Sequence, residues 1–119
     1  MFKIDTKTAP VFTSESGETI MELVGPGSNG SKGYSIAECT MTRDAKSEAH
    51  YHPIVEETYL ITEGAGYMMI NKERLDIKAG DTIVIPAKTT HQVINSTDST
   101  LKFLVTCVPE WTPECSVFV

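Results

Sequence analysis

The stretch AHYHPIVEETYLITEG, residues 49–64, places two histidines and a glutamate close together along the chain. His50 and His52 are two residues apart, so on a β-strand both imidazoles leave the same face, about 7 Å apart at the backbone. Side chains of this length can converge on one ion. Glu57 has an odd offset from His50 and would face the other way on a straight strand, but Pro53 cannot take part in a central ladder. We therefore expect a bend at Pro53 that returns Glu57 to the histidines.

The spacing continues into two motifs. The first reads His50-x-His52-x4-Glu57-x6-Gly64, and a second reads Gly80-x5-Pro86-x4-His91-x3-Asn95. Together they resemble the two sequence motifs of the cupin superfamily, and the resemblance covers residues 34–108. It implies a small single-domain, cupin type-2 protein whose fold is all-β, a double-stranded β-helix or jelly-roll barrel. It also implies a divalent metal ion inside the barrel, bound by His50, His52, Glu57 and His91.

The chain departs from these motifs at two positions. Asp44 stands where the first motif usually opens with glycine, and Lys88 stands where the second has glycine after its proline. Neither residue is one of the proposed ligands, so the fold prediction does not depend on them. The Lys88 side chain has two interpretations, a solvated lysine in a turn or an ammonium at the pocket rim that attracts an anionic substrate.

Composition predicts one compact domain in the cytoplasm. The chain has 119 residues, a net charge of −6 and a pI near 4.9, which argues against binding to nucleic acid. We find no leader-like apolar core at the N-terminus and no run long enough for a membrane span. The three cysteines are odd in number and widely spaced, which fits neither a disulfide framework nor a thiolate zinc site. We expect two of them, Cys39 and Cys107, to be small core residues.

Short apolar segments separated by turn residues predict strands throughout, which is typical of a sandwich or barrel. Residues 101–108 are almost continuously apolar and predict a strand buried on both faces. A breaker-rich loop, Gly25–Gly33, could border the mouth of a pocket. The predicted strands cover residues 19–24, 34–42, 49–52, 57–62, 67–70, 75–78, 82–85, 91–95 and 101–108.

The organisation of the chain follows from these segments. Residues 1–33 supply one or more strands and a loop, residues 34–108 form the barrel core, and residues 109–119 form a tail. Trp111 in this tail lies between two prolines and predicts a rigid apolar plug or a dimer contact. We expect a homodimer, because a small barrel has exposed edges and because the segments 2–12 and 111–119 carry apolar residues.

Within the site, six residues separate Glu57 from Gly64, which favours Glu57 over Glu56 as the ligand. We expect Glu56 to face solvent or to support a histidine. The residue types do not name the metal, since imidazole and carboxylate suit manganese, iron, nickel, zinc and copper. The residues that share a strand face with a ligand could line the pocket or simply fill the barrel. They are Tyr59, Ile61, Val93 and Asn95.

The sequence leaves two functions open. The first is a metal-dependent enzyme that acts on a small oxygen-bearing molecule, as a dioxygenase, decarboxylase, isomerase or lyase, with Glu57 as a possible base. The second is a protein that binds or senses a small molecule, such as a sugar or carboxylate, around a structural metal. Fold alone does not separate the two, because one fold supports many functions.

Overall fold

The computed structural model describes residues 1, 3–28 and 31–119, and in these residues the chain is built from β-strands with three short 3-10 turns. The all-β prediction is confirmed. No membrane-spanning helix is found in the described part of the chain. Phe2 and part of the Gly25–Gly33 loop, Asn29 and Gly30, lie outside the described residues. The strands are β1 (Val11–Thr13), β2 (Glu18–Val24), β3 (Ser35–Met41), β4 (His50–Tyr51), β5 (Glu56–Glu63), β6 (Ala65–Ile70), β7 (Glu73–Lys78), β8 (Thr82–Ile85), β9 (His91–Ile94), β10 (Leu101–Val108) and β11 (Val117–Phe118).

These strands form two antiparallel sheets that face each other. Sheet A has six strands in the order β1-β2-β3-β10-β5-β8, and sheet B has five in the order β11-β4-β9-β6-β7. Several connections carry the chain from one sheet to the other, for example between β4 and β5 and between β5 and β6. This alternation closes the two sheets around one interior, as in a jelly roll.

Alternation along the strands fills that interior with apolar side chains. On β10, Leu101, Phe103, Val105 and Cys107 are buried, and each lies opposite an interior residue of β3 or β5. The side chains between them are half-buried and Val108 is exposed. The prediction that this strand is buried on both faces is therefore wrong, because the outer face of sheet A is not covered by another layer. Cys39 and Cys107 are buried and free, as predicted.

The two motif positions that lack glycine keep the conformation that favours glycine. Asp44 has a φ of 60° and Lys88 a φ of 68°, both in the left-handed region. The Lys88 backbone N–H donates a 2.7 Å hydrogen bond to the carbonyl of His52. The turn is thus held in its left-handed shape without glycine, and the Lys88 side chain is exposed to solvent.

Candidate metal centre

Four side chains from opposite walls of the barrel meet at one end of the interior. His50 on β4 lies directly opposite His91 on β9, so both belong to sheet B. After Pro53 the chain crosses to sheet A, where Glu57 is the second residue of β5. The expected return of Glu57 to the histidines is therefore achieved by a change of sheet. Glu56 is exposed and Glu57 buried, as the spacing to Gly64 predicted.

The potential ligand atoms of these residues are close enough for one ion. One donor atom from each of His50, His52, Glu57 and His91 lies within 4.8 Å of the other three. Oε1 of Glu57 is 2.8 Å from Nε2 of His52 and 2.8 Å from Nε2 of His91. His52, Glu57 and His91 are 2%, 4% and 1% exposed, whereas His50 is half-buried and forms the accessible side of the cluster.

Backbone carbonyls fix the orientation of all three imidazoles. Nδ1 of His50 lies 2.8 Å from the carbonyl of Glu48, and Nδ1 of His91 lies 2.9 Å from that of Thr89. Nδ1 of His52 lies 3.0 Å from the carbonyl of Cys115. A carbonyl only accepts hydrogen bonds, so each Nδ1 carries a proton, and in its neutral form each ring presents the lone pair of Nε2 to the cluster. Metal-binding histidines are oriented in this manner.

The inward atoms require a positive charge between them. Despite the 2.8 Å separations, Nε2 of His52, Nε2 of His91 and Oε1 of Glu57 are buried without a partner in hydrogen-bond geometry. An unprotonated Nε2 and a carboxylate oxygen are both acceptors, and they repel each other unless protons or a metal ion separate them. Three imidazoles and one carboxylate are a donor set that suits a divalent transition metal. The cluster is therefore compatible with a metal site.

Electrostatics keep the carboxylate ionised. Burial alone would raise the pKa of Glu57, but the imidazoles of His52 and His91, each 2.8 Å from its Oε1, outweigh burial and lower the pKa to about 2. For His52, burial is outweighed by the interaction with Glu57, and its pKa is raised. Burial lowers the pKa of His50, which favours the neutral ring. At neutral pH the cluster thus contains a carboxylate and at least one neutral imidazole, the forms that bind metals.

Two cysteines support the cluster in a way that the sequence did not reveal. The Cys107 thiol lies 3.6 Å from Oε2 of Glu57, on the neighbouring strand and directly opposite it. Cys115 and Ser116 place a thiol and a hydroxyl at 3.5 Å and 3.3 Å from Nδ1 of His52. The tail therefore contacts His52, one of the proposed ligands, and the pairing of β11 with β4 holds it in this position. Trp111 is 43% exposed and does not plug the barrel, so that alternative is wrong.

The four predicted pocket residues all face the interior. Tyr59 stacks on Phe103 with a centroid distance of 5.3 Å and meets His91 edge-on at 6.0 Å. Ile61 and Val93 lie in the apolar core. Asn95 is fully buried, and its amide nitrogen lies 2.8–3.1 Å from three backbone carbonyls. These contacts leave the Asn95 amide with no free donor, which favours its structural interpretation over its role in a pocket.

A second interior carboxyl group was missed. The first predicted strand begins at Thr19, whereas β2 begins at Glu18. Glu18 lies opposite Met41, which is completely buried, and residues directly opposite in an antiparallel pair share a face. Its side chain therefore faces the interior. The alternation of Glu18 with Ile20 was the available signal, but it identifies the inner face only once the pairing with β3 is known.

Comparisons with known proteins agree with this architecture. An uncharacterised protein of Methanocaldococcus jannaschii is 36% identical over 108 residues, which cover 91% of this chain and 86% of that protein. A similar solved structure is a variant of Streptomyces PAC13 with uridine, and PAC13 is a nucleoside dehydratase. Its TM-score is 0.83 at 16% identity, and the match covers 100% of this chain and 91% of the PAC13 chain. A sugar phosphate isomerase from Silicibacter pomeroyi has a TM-score of 0.77 at 26% identity, and the match covers 93% of this chain and 76% of the isomerase chain. The model of the cupin domain matches residues 37–107, and the chain belongs to this family.

Proposed function

We propose that this protein is a metal-dependent cupin enzyme that acts on a small oxygen-bearing molecule. The observation that carries the proposal is the buried cluster of His50, His52, Glu57 and His91, in which inward Nε2 and Oε1 atoms lack a hydrogen-bond partner. In this proposal the four side chains bind one divalent ion of manganese, iron, nickel, zinc or copper. Two of the similar structures are enzymes, a nucleoside dehydratase and a sugar phosphate isomerase, and this supports a catalytic role.

A bound divalent metal would supply Lewis acidity or, for a redox-active ion, electron transfer. The residues of the chain hold and orient the ligands: the carbonyls of Glu48, Thr89 and Cys115 accept from the imidazoles and direct each Nε2 inward. Glu57 remains our candidate base, but a pKa of about 2 makes it a weak one at neutral pH. The reaction class stays open among dioxygenase, decarboxylase, isomerase and lyase.

The alternative function is a non-catalytic protein that binds or senses a sugar or carboxylate. One observation favours it: three of the four proposed ligands are at most 4% exposed. An ion enclosed in this way closes the barrel and stabilises it, as structural metals do. The half-buried His50 is then the only one of the four through which a ligand approaches.

Metal analysis tests the proposal. We expect about one ion per chain in protein purified without chelator, and Glu57→Gln should weaken metal affinity at least about tenfold because it removes a charged ligand. Glu56→Gln is the matched control, since it makes the same change at the adjacent exposed residue and should leave affinity unaltered. Folded protein that stays metal-free after incubation with manganese, iron, nickel and zinc would refute a metal site.

The same variant separates enzyme from binder. In an enzyme, Glu57→Gln should abolish turnover even where the three histidines retain the ion. In a binding protein, it should change ligand affinity modestly and leave the response to ligand intact.

We also propose a cytoplasmic homodimer with a small-molecule ligand and no nucleic-acid partner. The three free cysteines support a reducing compartment. Support for the dimer comes from the outer face of sheet A, where exposed or half-buried apolar side chains lie on adjacent strands. Leu104 lies directly opposite Leu60, and Val84 and Val11 are exposed on the same face. Such a surface is typical of a contact between protein subunits.

A further inference from the structure

The three imidazoles of the proposed metal centre differ in the origin of their hydrogen-bond acceptors. For His50 and His91 the acceptor is a carbonyl only two residues earlier in the chain. For His52 it is the carbonyl of Cys115, which lies 63 residues away in the sequence and 3.0 Å from Nδ1. The orientation of His52 therefore depends on the C-terminal segment, residues 112–119.

Three groups of the C-terminal segment surround Nδ1 of His52. The Cys115 carbonyl is the nearest of them, and the Ser116 hydroxyl and the Cys115 thiol lie at 3.3 Å and 3.5 Å. A neutral imidazole with a free Nε2 has one N–H proton to donate, so the carbonyl, as the nearest acceptor, receives it. A hydrogen bond of this kind fixes the ring and makes the nitrogen that faces the metal more basic.

The same segment also lies beside His50, the accessible member of the cluster. Phe118 is directly opposite His50 in the pairing of β11 with β4, and their ring centroids are 5.9 Å apart. Residues directly opposite in an antiparallel pair share a face, so the phenyl ring and the imidazole are on the same side of the sheet. The C-terminal segment thus contacts two of the four proposed ligands.

Little buried surface holds this segment in place. Its strand β11 has two residues and lies at the edge of sheet B. Val117, Phe118 and Val119 are 36%, 62% and 72% exposed. The Val119 N–H donates to the carbonyl of Ala49, and Cys115 packs against the core. A segment with so few buried contacts opens locally at a much lower free energy than the barrel unfolds.

We propose that the C-terminal segment is a detachable strap, and that docking of this strap is coupled to binding of the metal. The inference rests on the proposed metal centre. The docked strap orients His52 through the Cys115 carbonyl and covers His50, so docking raises the affinity for the metal. Because coupling between two sites is reciprocal, a bound ion holds the strap in place by the same factor. Cys115 is thus a positioning residue, which acts through His52.

The first test uses the full wild-type chain without substitution. Iodoacetamide alkylates accessible thiols, and mass spectrometry assigns the modification to individual cysteines. We expect Cys115 to react faster than the buried Cys39 and Cys107 in metal-free protein, since local opening of the strap exposes it. Saturation with Mn²⁺ should slow the reaction of Cys115 at least about tenfold, the lower end of the effect that a histidine's hydrogen-bond partner has on metal affinity. A rate that Mn²⁺ leaves unchanged would overturn the coupling.

A proline in β11 tests the reciprocal effect. Val119 donates to Ala49, and hydrogen-bonded pairs alternate along an antiparallel ladder, so the pair of Val117 and Tyr51 is also hydrogen-bonded. Val117→Pro removes this donor and should release the strap. We expect its Kd for Mn²⁺, measured from the electron paramagnetic resonance of free Mn²⁺, to rise by the factor by which Mn²⁺ slows alkylation in the wild type. The alkylation test decides the matter even if this variant does not fold.

Phe12→Pro is the matched control. Phe12 lies in β1, another short, exposed strand at a sheet edge, but in sheet A. Its pair with Ile20 is hydrogen-bonded by the same alternation, since Ser14 donates to Glu18. The Kd of this variant should equal that of the wild type. An unchanged Kd in folded Val117→Pro, or an equal rise in both variants, would also overturn the inference. A wild type that binds neither Mn²⁺ nor Zn²⁺ would instead refute the metal centre itself, so the two failures are distinguishable.

Discussion

Glu18 is an acidic side chain that the fold holds in an unfavourable environment. Burial raises its pKa from 4.5 to about 7, and Glu57, Cys39 and Tyr59 are the titratable groups that interact with it electrostatically. A raised carboxyl pKa means that the folded protein keeps a proton that the unfolded chain has released. Folding is therefore penalised as pH rises from the unfolded pKa to the folded pKa, and the penalty is complete above pH 7.

Removing this charge should stabilise the protein at high pH. In metal-free protein we expect Glu18→Gln to unfold at higher urea than the wild type at pH 8, by an amount on the order of 2 kcal/mol after allowance for solvent screening. At pH 4.5 the difference should largely vanish, since the wild-type carboxyl is protonated in the folded state. Urea denaturation at the two pH values measures this. Glu38→Gln, which makes the same charge change on the outer face of sheet A, is the control. A difference between Glu18→Gln and wild type that is the same at both pH values would contradict the prediction.

Single residues differ in how much the sequence reveals about them. The four histidine and glutamate candidates were identified because their spacing matches two motifs, and the structure brings them together. Glu18 was missed because its inward direction depends on the register of β2 with β3. The contact between His52 and Cys115 joins residues 63 positions apart, and it depends on the path of the tail, which no local pattern encodes.

At the scale of the elements, the nine strands predicted from short apolar runs are all present, with ends that differ by at most two residues. Turn residues and alternation are local signals, so they locate such strands well. The two strands that were missed are short. β1 has three exposed residues and β11 has two, too few to show alternation, and both exist because of tertiary pairing with β2 and β4.

The change of sheet between β5 and β6 depends on one glycine. Gly64 is the only residue between the two strands, its φ is +79°, and a Cβ there would collide with the carbonyl oxygen of Thr100. We expect Gly64→Ala to destabilise the protein by about 3 kcal/mol or more, since it combines backbone strain with a clash against rigid main chain. Thermal or urea denaturation measures the loss.

Gly80 provides a matched comparison for Gly64. Its φ is +98°, but a Cβ at this position would meet nothing within 4 Å. Gly80→Ala therefore introduces the strain without the clash and should cost about 1–2 kcal/mol. Equal losses in the two variants would show that the contact with Thr100 does not restrict this crossing between the sheets.

At the scale of the whole molecule, the sequence predicted the barrel but not its surfaces. Alternation shows which residues share a face of a strand, and burial of one face follows from the closure of the two sheets. Whether the opposite face meets solvent or a partner depends on contacts beyond the chain itself. In sheet A, the sequence of β10 is an almost continuous apolar run, which predicts burial on both faces. The outer face of β10 is nevertheless only half-buried.

The outer face of sheet A is where we expect the dimer to form. Leu60 and Val84 lie on adjacent strands of this face and are 41% and 55% exposed. A lysine at an interface core must give up its hydration without a partner, so Leu60→Lys and Val84→Lys should each convert a dimer to a monomer. Ile54→Lys is the control, because Ile54 is 75% exposed and lies between β4 and β5, outside sheet A. Light scattering at high micromolar concentration decides between the states: a monomeric wild type, or a dimer that persists in both sheet A variants, would exclude this face as the interface.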